Sequence, residues 1–296
     1  MLKKIIGLCI VAIVSLNANS FDRNMYLTGQ IQAKGESAPG QNKYSAMRSA
    51  QLTAQRNLLE IIGGLQLTSS SKMRDGLLLD DYVTSQLRGY LKGATVLEEH
   101  YNEQDGSASV VMGIGYLGSI SNVLASSQQR GTLQKALYKT KKPIYYELTQ
   151  DNTIEKEEIL KKEMKINNKK VLEQKITTKT TILSLNDALI IDVRGLDFEP
   201  AQVNRIYFDN KLIYDPLMVP AEIISQRGLA KYTTTLNRAK AILESYGSSN
   251  PLIVKATKIA KLSSDVVVSQ EDAVKITKEN INKGFLESAR IVFIVE

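Results

Sequence analysis

The chain has 296 residues and a formal net charge of +7, and its 43% hydrophobic and 23% charged residues are typical of a folded globular protein. It contains one Cys, one His and no Trp, and Cys9 lies in a hydrophobic stretch near the amino terminus. Removal of that stretch would leave no Cys and only His100, which excludes disulfide frameworks, Cys-ligated zinc and sites that need two His. The length predicts two folded units.

Residues 1–20 have the pattern of a removable signal peptide. Two Lys are followed by the apolar run 5–16 and by small residues before an expected cleavage after Ser20. The apolar run is shorter than the ~20 residues that cross a membrane. Cys9 follows a Leu, whereas the acylated Cys of a bacterial lipoprotein follows Gly or Ala. We therefore expect export to the periplasm, or to the periplasmic face of the outer membrane, of a Gram-negative bacterium.

Residues 21–127 are predicted to form a first α+β unit that contains a long helix. Apolar residues recur at three- and four-residue steps across 44–62, a spacing that predicts one buried helix face. The residues of this stripe are Met47, Ala50, Ala54, Leu58 and Ile61. Gly63 and Gly64 are expected to end the helix in a left-handed conformation. The many alanines predict that the helix packs closely against a sheet.

The sheet of this unit is indicated by two strand-like runs, 94–101 and 107–116. They flank Asp105-Gly106, a pair typical of hairpin turns. A first strand near 25–32 and a short helix across 80–91 complete the predicted unit.

Residues 128–180 are predicted to be a basic linker. Between 129 and 179 there are 13 Lys and Arg against 7 Asp and Glu. Residues 154–174 fit either a charged helix or a two-stranded ribbon. The lysines could contact an anionic envelope surface or an acidic partner protein, and the alternative is a soluble spacer. The candidate contact residues are Lys139, Lys141, Lys142, Lys161 and Lys162.

Residues 181–296 are predicted to form a second unit, an α/β-type sandwich, because strand and helix patterns alternate. Strands are expected at 189–193, 252–256, 265–268 and 290–295, with a hairpin at 205–214. Helices are expected at 232–246 and after Ser269, where Asp272 follows at capping-box spacing.

Gly113, Gly115 and Gly118 spell the dinucleotide-loop pattern G-x-G-x-x-G. The acidic residue that would hold a ribose hydroxyl ~20 positions later is missing, because no Asp or Glu occurs between Asp105 and Glu147. The preceding strand also belongs to a hairpin instead of a βαβ unit. We expect these glycines to ease a twisted strand, and we expect no cofactor.

His100 could belong to a catalytic triad only beside a Ser and an Asp, and the sequence has no G-x-S-x-G motif. We therefore expect His100 to be an ordinary residue on the surface of the sheet. Glu98, Glu99 and Glu103 are close together but lack the spacing of a calcium loop. No catalytic, cofactor-binding or metal-binding residues are therefore predicted.

Four segments of the chain resemble segments of a known family, in the same order. They are 44–60 (YSAMRSAQLTAQRNLLE), 61–65 (IIGGL), 87–96 (LRGYLKGATV) and 105–110 (DGSASV). Together they make residues 26–117 similar to exported proteins related to the flagellar basal-disk lipoprotein FlgP and to small Helicobacter-type outer-membrane lipoproteins. The resemblance implies an Ala-rich helix packed on a small sheet of dodecin-like or SHS2-like form. The chain departs from the lipoprotein members at Cys9, which lacks their acylation motif.

The resemblance implies a non-enzymatic structural subunit of a flagellum-associated disk or ring that supports motility. Its partners would be further copies of itself and other envelope or flagellar proteins, and no nucleic acid. The alternative is a monomeric periplasmic module that binds cell-wall or anionic lipid ligands. An enzyme is the third class, limited by the residue types to carboxylate, Lys, Tyr or Ser chemistry.

Overall fold

The structure, a computed structural model, describes Met25 and residues 28–138, 144–148 and 185–296. The predicted signal peptide, Cys9 and the choice between helix and ribbon at 154–174 lie outside these residues. The described residues combine helices with several small sheets in an α+β fold. None of their helices has the length and hydrophobicity needed to cross a membrane.

The first unit contains a long helix, a three-stranded sheet and shorter helices. In chain order its elements are β1 (Gln30–Glu36), α1 (Lys43–Gly64), β2 (Gln66–Thr68), β3 (Ser71–Lys72), α2 (Met73–Gly76), α3 (Asp81–Lys92), β4 (Thr95–Asn102), β5 (Ser107–Gly115), α4 (Ser121–Gln129) and α5 (Thr132–Leu137).

The main sheet of the first unit is antiparallel, with the strand order β1-β5-β4. Helix α1 packs across β1 and β5 and contacts β4 much less. The approach is close, because a Cβ placed on Gly35 of β1 would lie 2.2 Å from both the Ala50 oxygen and the Ala54 nitrogen. Small residues on both elements thus let the helix lie directly on the sheet, which confirms the predicted packing.

Helix α1 buries one stripe at strict four-residue spacing. The buried residues of the stripe are Ala46, Ala50, Ala54, Leu58 and Ile62. Met47 and Ile61, predicted to belong to it, are only partly buried beside it. The left-handed end predicted at Gly63 and Gly64 is wrong, since both residues continue the helix. Gly63 is buried, and a Cβ on it would lie 3.6 Å from Arg74 Cβ and 3.7 Å from Leu78 Cδ1.

The first strand lies five residues later than predicted, because Met25 and Thr28 are helical and β1 spans Gln30–Glu36. Its inward residues end in Ala33 and Gly35, so the hydrophobic alternation is weak in the sequence. The hairpin is confirmed, with Gly106 in its turn at φ +70°. The short helix is also confirmed as α3, where the Asp80 carboxylate accepts hydrogen bonds from two backbone amides.

The second unit alternates short strands with helices. Its elements are β6 (Ala188–Asp192), β7 (Ile206–Phe208), β8 (Lys211–Tyr214), α6 (Ala221–Arg227), β9 (Tyr232–Thr233), α7 (Leu236–Glu244), β10 (Pro251–Lys255), β11 (Lys258–Ile259), β12 (Val266–Val267), α8 (Gln270–Lys283) and β13 (Ile291–Ile294).

A parallel four-stranded sheet, ordered β10-β6-β13-β9, forms the centre of the second unit. On one face Ile190, Val292 and Ile294 pack against Ala239 and Leu243 of α7. The other face joins the main core of the protein. A second sheet, ordered β11-β12-β7-β8, contains the predicted hairpin at 205–214.

The helix predicted across 232–246 starts later, at Leu236, and the residues before it form β9. Thr235 caps this helix, and its hydroxyl accepts the Arg238 amide at 3.3 Å. Pairing with β13 therefore outweighs the helical pattern at Tyr232. The helix predicted after Ser269 is confirmed as α8, with the Ser269 hydroxyl accepting the Asp272 amide at 3.1 Å.

The two units share one continuous hydrophobic core. Helix α4 of the first unit packs against α6 of the second. The backbones are also joined, because Gln202 and Val203 donate to the oxygens of Gln66 and Leu67, each at 2.9 Å. The second unit is therefore held against the first by packing and by hydrogen bonds.

Candidate functional site

The lysines predicted to contact an anionic surface all lie in undescribed parts of the chain. They are Lys139, Lys141, Lys142, Lys161 and Lys162, and their role stays a prediction.

The acidic residues near His100 do not converge on a metal site. Glu98, Glu99 and His100 are all exposed on β4. Across the described ranges, no group of three or more His, Cys, Asp or Glu side chains has an arrangement that could hold a metal ion.

Two of the three glycines of the G-x-G-x-x-G pattern lie in the sheet, whereas Gly118 lies after β5 with a φ of +81° and does not ease a strand as predicted. Gly113 and Gly115 lie in β5, between two antiparallel neighbours, so the strand belongs to no βαβ unit. A Cβ on Gly113 would lie 2.8 Å from Leu97 Cδ1 and 2.9 Å from Gln30 Nε2. Gly113 thus leaves room for side chains from both outer strands.

Strand β4 is the most exposed element of the sheet. Its residues from Thr95 to His100 are all exposed, and only the last two are half-buried. Val96 and Leu97, on opposite faces of the sheet, are 37% and 39% exposed. Exposure on both faces means that β4 extends beyond the layer covered by α1. An uncovered edge strand can pair with another chain, although Glu98, Glu99 and the register shift between Val96 and Glu98 restrict where β4 can do so.

The outer edge of β4 also offers free backbone groups. Tyr116 N donates to Gly29 O and Ser37 N to Ala108 O, so even-numbered residues of β5 pair with β1. The odd-numbered residues of β5 therefore pair with β4, through His100 among others. The amide of Glu99 then points outward. Among the described residues, no strand pairs with this edge.

Strand β1 forms the opposite edge of the same sheet. Its even-numbered residues direct their backbone groups outward by the same alternation. The Lys34 oxygen already accepts a hydrogen bond from Asn57 Nδ2 at 2.7 Å. The Gln30 amide donates to Thr28 Oγ1 at 3.3 Å, and the Gln30 oxygen accepts from the same hydroxyl at 3.2 Å. Gln32 lies between these two capped positions. The sheet thus has one fully exposed edge and one partly capped edge.

An ion pair between Arg205 and Asp265 lies buried in the second unit. Arg205 Nη1 and Asp265 Oδ2 are 3.3 Å apart, and their side chains are 4% and 3% exposed. The other carboxylate oxygen accepts the Arg205 amide at 3.0 Å. Burial raises the pKa of Asp265 against the opposing pull of Arg205.

Tyr138, which follows α5, completes this cluster from the first unit. Its hydroxyl donates to Asp215 and accepts from Arg205 Nε at 3.0 Å. Burial and the bond to Asp215 raise the pKa of Tyr138. Nearby, Tyr146 N donates to Leu212 O at 2.8 Å, so the chain after Tyr138 returns to the edge of β8. The cluster therefore fastens the connecting segment to the second unit.

The side chains of this cluster are mostly engaged in hydrogen bonds with one another and with the backbone. The carboxylates of Asp215 and Asp265 and the Tyr138 hydroxyl each have hydrogen-bond partners. Arg205 Nη2 is the exception, since it is buried without a hydrogen-bond partner among the described residues. None of these groups is exposed as a nucleophile, so the arrangement fits a structural clamp.

A family model described as "Treponema pallidum Tp0624, second domain" matches residues 188–296. The match covers the second unit from the first residue of β6 to the carboxyl end. The search of curated proteins found no match. The second unit is thus similar to a domain of a bacterial protein.

The sequence predicts the strand at 94–101 but does not indicate that it forms an open edge. Val96 and Leu97 look like ordinary strand residues, and their exposure depends on where α1 lies. The Arg205–Asp265 pair was also missed. Its members are 60 positions apart, and the only local signal is that Asp265 opens a strand-like run.

Proposed function

We propose that this protein is a non-enzymatic subunit that assembles side by side in the envelope of a Gram-negative bacterium. The observation that carries the proposal is the open edge of β4, which presents free backbone groups and the exposed side chains of Val96 and Leu97. The resemblance of residues 26–117 to flagellar basal-disk proteins supports a disk or ring associated with the flagellum. Other envelope or flagellar proteins would be its further partners.

The charges of β4 favour pairing with a different strand. Two antiparallel copies of β4 would bring Glu98 and Glu99 of one copy close to those of the other, which is unfavourable. The Gln30 backbone is capped by the Thr28 hydroxyl, so the open part of β1 is centred on the neutral Gln32 and is followed by Lys34. Pairing of β4 with β1 of the next copy is a head-to-tail contact, and such contacts generate closed rings or filaments.

The buried polar groups support a structural role. The Arg205–Asp265 ion pair and the hydrogen bond from the Tyr138 hydroxyl to Asp215 each link distant parts of the chain. The predicted signal peptide supports a periplasmic or outer-membrane location. An association of the linker lysines with anionic envelope surface would add to attachment, and it is part of the proposal.

We assign the first unit to the dodecin-like or SHS2-like type, supported by one long helix on a three-stranded antiparallel sheet. We assign the second unit to the α/β sandwich type, supported by its parallel sheet with α7 on one face.

Sedimentation velocity of the protein without residues 1–20 tests the assembly. The wild type should form multimers, and Glu99→Pro should shift it to monomer, because proline removes the outward amide while Pro is tolerated at sheet edges. Glu99→Thr, which keeps the amide, is the matched control and should still assemble. A monomeric wild type, or a Glu99→Pro variant that assembles fully, would contradict the proposal.

A further inference from the structure

Two cationic side chains, Lys231 and Arg227, lie beside tyrosine rings, one of them Tyr116 of the first unit. Lys231 immediately precedes β9, and its Nζ lies 5.4 Å from the centre of the Tyr116 ring. Arg227 ends α6, and its guanidinium lies 4.9 Å from the centre of the Tyr246 ring. Tyrosine rings thus line the side of each cation.

The Lys231 ammonium is buried without a hydrogen-bond partner among the described residues, although part of its side chain is exposed. Arg227 Nη1 donates to the Ser288 oxygen at 2.7 Å. Across the described ranges, no carboxylate lies within ion-pair distance of either side chain. Two neighbouring cations therefore lie here without a negative partner.

Burial of the Lys231 ammonium near a second cation is unfavourable in free energy. A buried ammonium loses its hydration, and a neighbouring cation adds repulsion. Both effects hold the pKa of Lys231 down at about 8. An anion at the Lys231 ammonium would supply the missing hydrogen-bond acceptor and offset the repulsion from Arg227.

We propose that Lys231 and Arg227 form a binding site for a small oxyanion, a phosphate or carboxylate group. Lys231 supplies a buried point charge and Arg227 supplies N–H donors beyond the one bonded to Ser288, a combination that suits such oxygens. Both residues are only partly buried. The site is independent of the β4 edge and of the proposed assembly.

The ligand has two candidate chemistries that one experiment separates. Thermal melts of the protein without residues 1–20 are recorded at pH 7 with inorganic phosphate or with acetate, each against chloride at equal ionic strength. At ten times the dissociation constant, a bound anion favours the folded state about 11-fold. A saturable rise in the melting temperature with either salt identifies the chemistry.

Substitution locates the effect. Lys231→Met removes the charge but keeps the length of the side chain, so it should fold and lose the anion-dependent rise. Lys240→Met, at an exposed position of α7, is the matched control and should keep it. Absence of a saturable rise in the wild type, or an equal rise in Lys231→Met, would overturn the proposal. If Lys231→Met does not fold, calorimetric titration of phosphate and of acetate into the wild type and Arg227→Gln decides, and equal binding by both, or none, overturns it.

Discussion

Tyr116 of the first unit occupies the space that a side chain at Gly228 of the second unit would need. A Cβ on Gly228 would lie 2.4 Å from Tyr116 Cε1 and 2.9 Å from its hydroxyl oxygen. The same hydroxyl donates to Gln202 Oε1 at 2.9 Å. Tyr116 therefore packs on the second unit at a glycine, where the backbone has no side chain to displace.

Gly228→Ala should destabilise the protein strongly. Its φ of +70° and ψ of 179° lie in a region that only glycine occupies readily, which alone costs an alanine about 1–3 kcal/mol. The clash with Tyr116 should add about 1–3 kcal/mol. Gly247→Ala is the control, because Gly247 has a φ of +78° but no atom within 4 Å of a Cβ. Urea unfolding should show the larger loss at Gly228, and equal losses would contradict the interlock.

Ala54→Leu should overpack the contact between α1 and the sheet. Ala54 is fully buried, and its backbone lies against Gly35 of β1. We expect a loss of about 1–3 kcal/mol in the free energy of unfolding. Gln55→Leu, on the next and only partly buried position, should have little effect. Thermal melts that show the two variants to be alike would place the buried face of α1 elsewhere.

Asp265→Ala should be far more damaging than loss of an exposed ion pair. It leaves Arg205 buried without its carboxylate, which typically costs about 3–5 kcal/mol. Asp192→Ala is the comparison, because its partner Arg194 is 48% exposed. Exposed pairs contribute about 0–1 kcal/mol. Chemical denaturation of both variants measures the contrast, and similar losses would argue against a buried clamp.

Stability should rise between pH 8 and pH 9.5 through Lys231. Its pKa is about 8 in the folded protein, below the value near 10.5 of a free lysine. In this range the unfolded chain binds the extra proton, so raising the pH favours the folded state. The groups that face Lys231 are Arg227 and Tyr116, with Tyr246 behind Arg227.

The measurement is the melting temperature in a buffer without phosphate, sulfate or carboxylate. Lys231→Met should lack this rise and should melt higher than the wild type at pH 7, since it removes a buried charge. A wild type and variant with parallel pH profiles would show that Lys231 is solvated.

The sequence predicts the elements whose signals are local. The hairpin follows from Asp105-Gly106, and the start of α8 follows from the Ser269 and Asp272 spacing. Strand β9 was hidden in a helical pattern, because Tyr232 is held by pairing with β13, which lies about 60 residues away. The contact of Tyr116 with Gly228 likewise depends on how two units pack.

The same limit applies to the candidate site. Alternation in 94–101 predicts a strand, but not that α1 leaves β4 uncovered. The order of strands in a sheet and the placement of a helix over it are tertiary properties, and they decide which edge stays open.

Cross-linking between copies tests the proposed assembly most directly. The chain after residue 20 has no Cys, so introduced thiols react alone. His100 and Gln32 lie on the same outer face of β4 and β1, opposite Ser109 and Gly113 of β5. With a short bismaleimide, His100→Cys combined with Gln32→Cys should give a ladder of covalently linked multimers, while each single variant should give no covalent multimers. A double variant that remains monomeric, or a His100→Cys variant that forms dimers alone, would contradict head-to-tail assembly through β4 and β1.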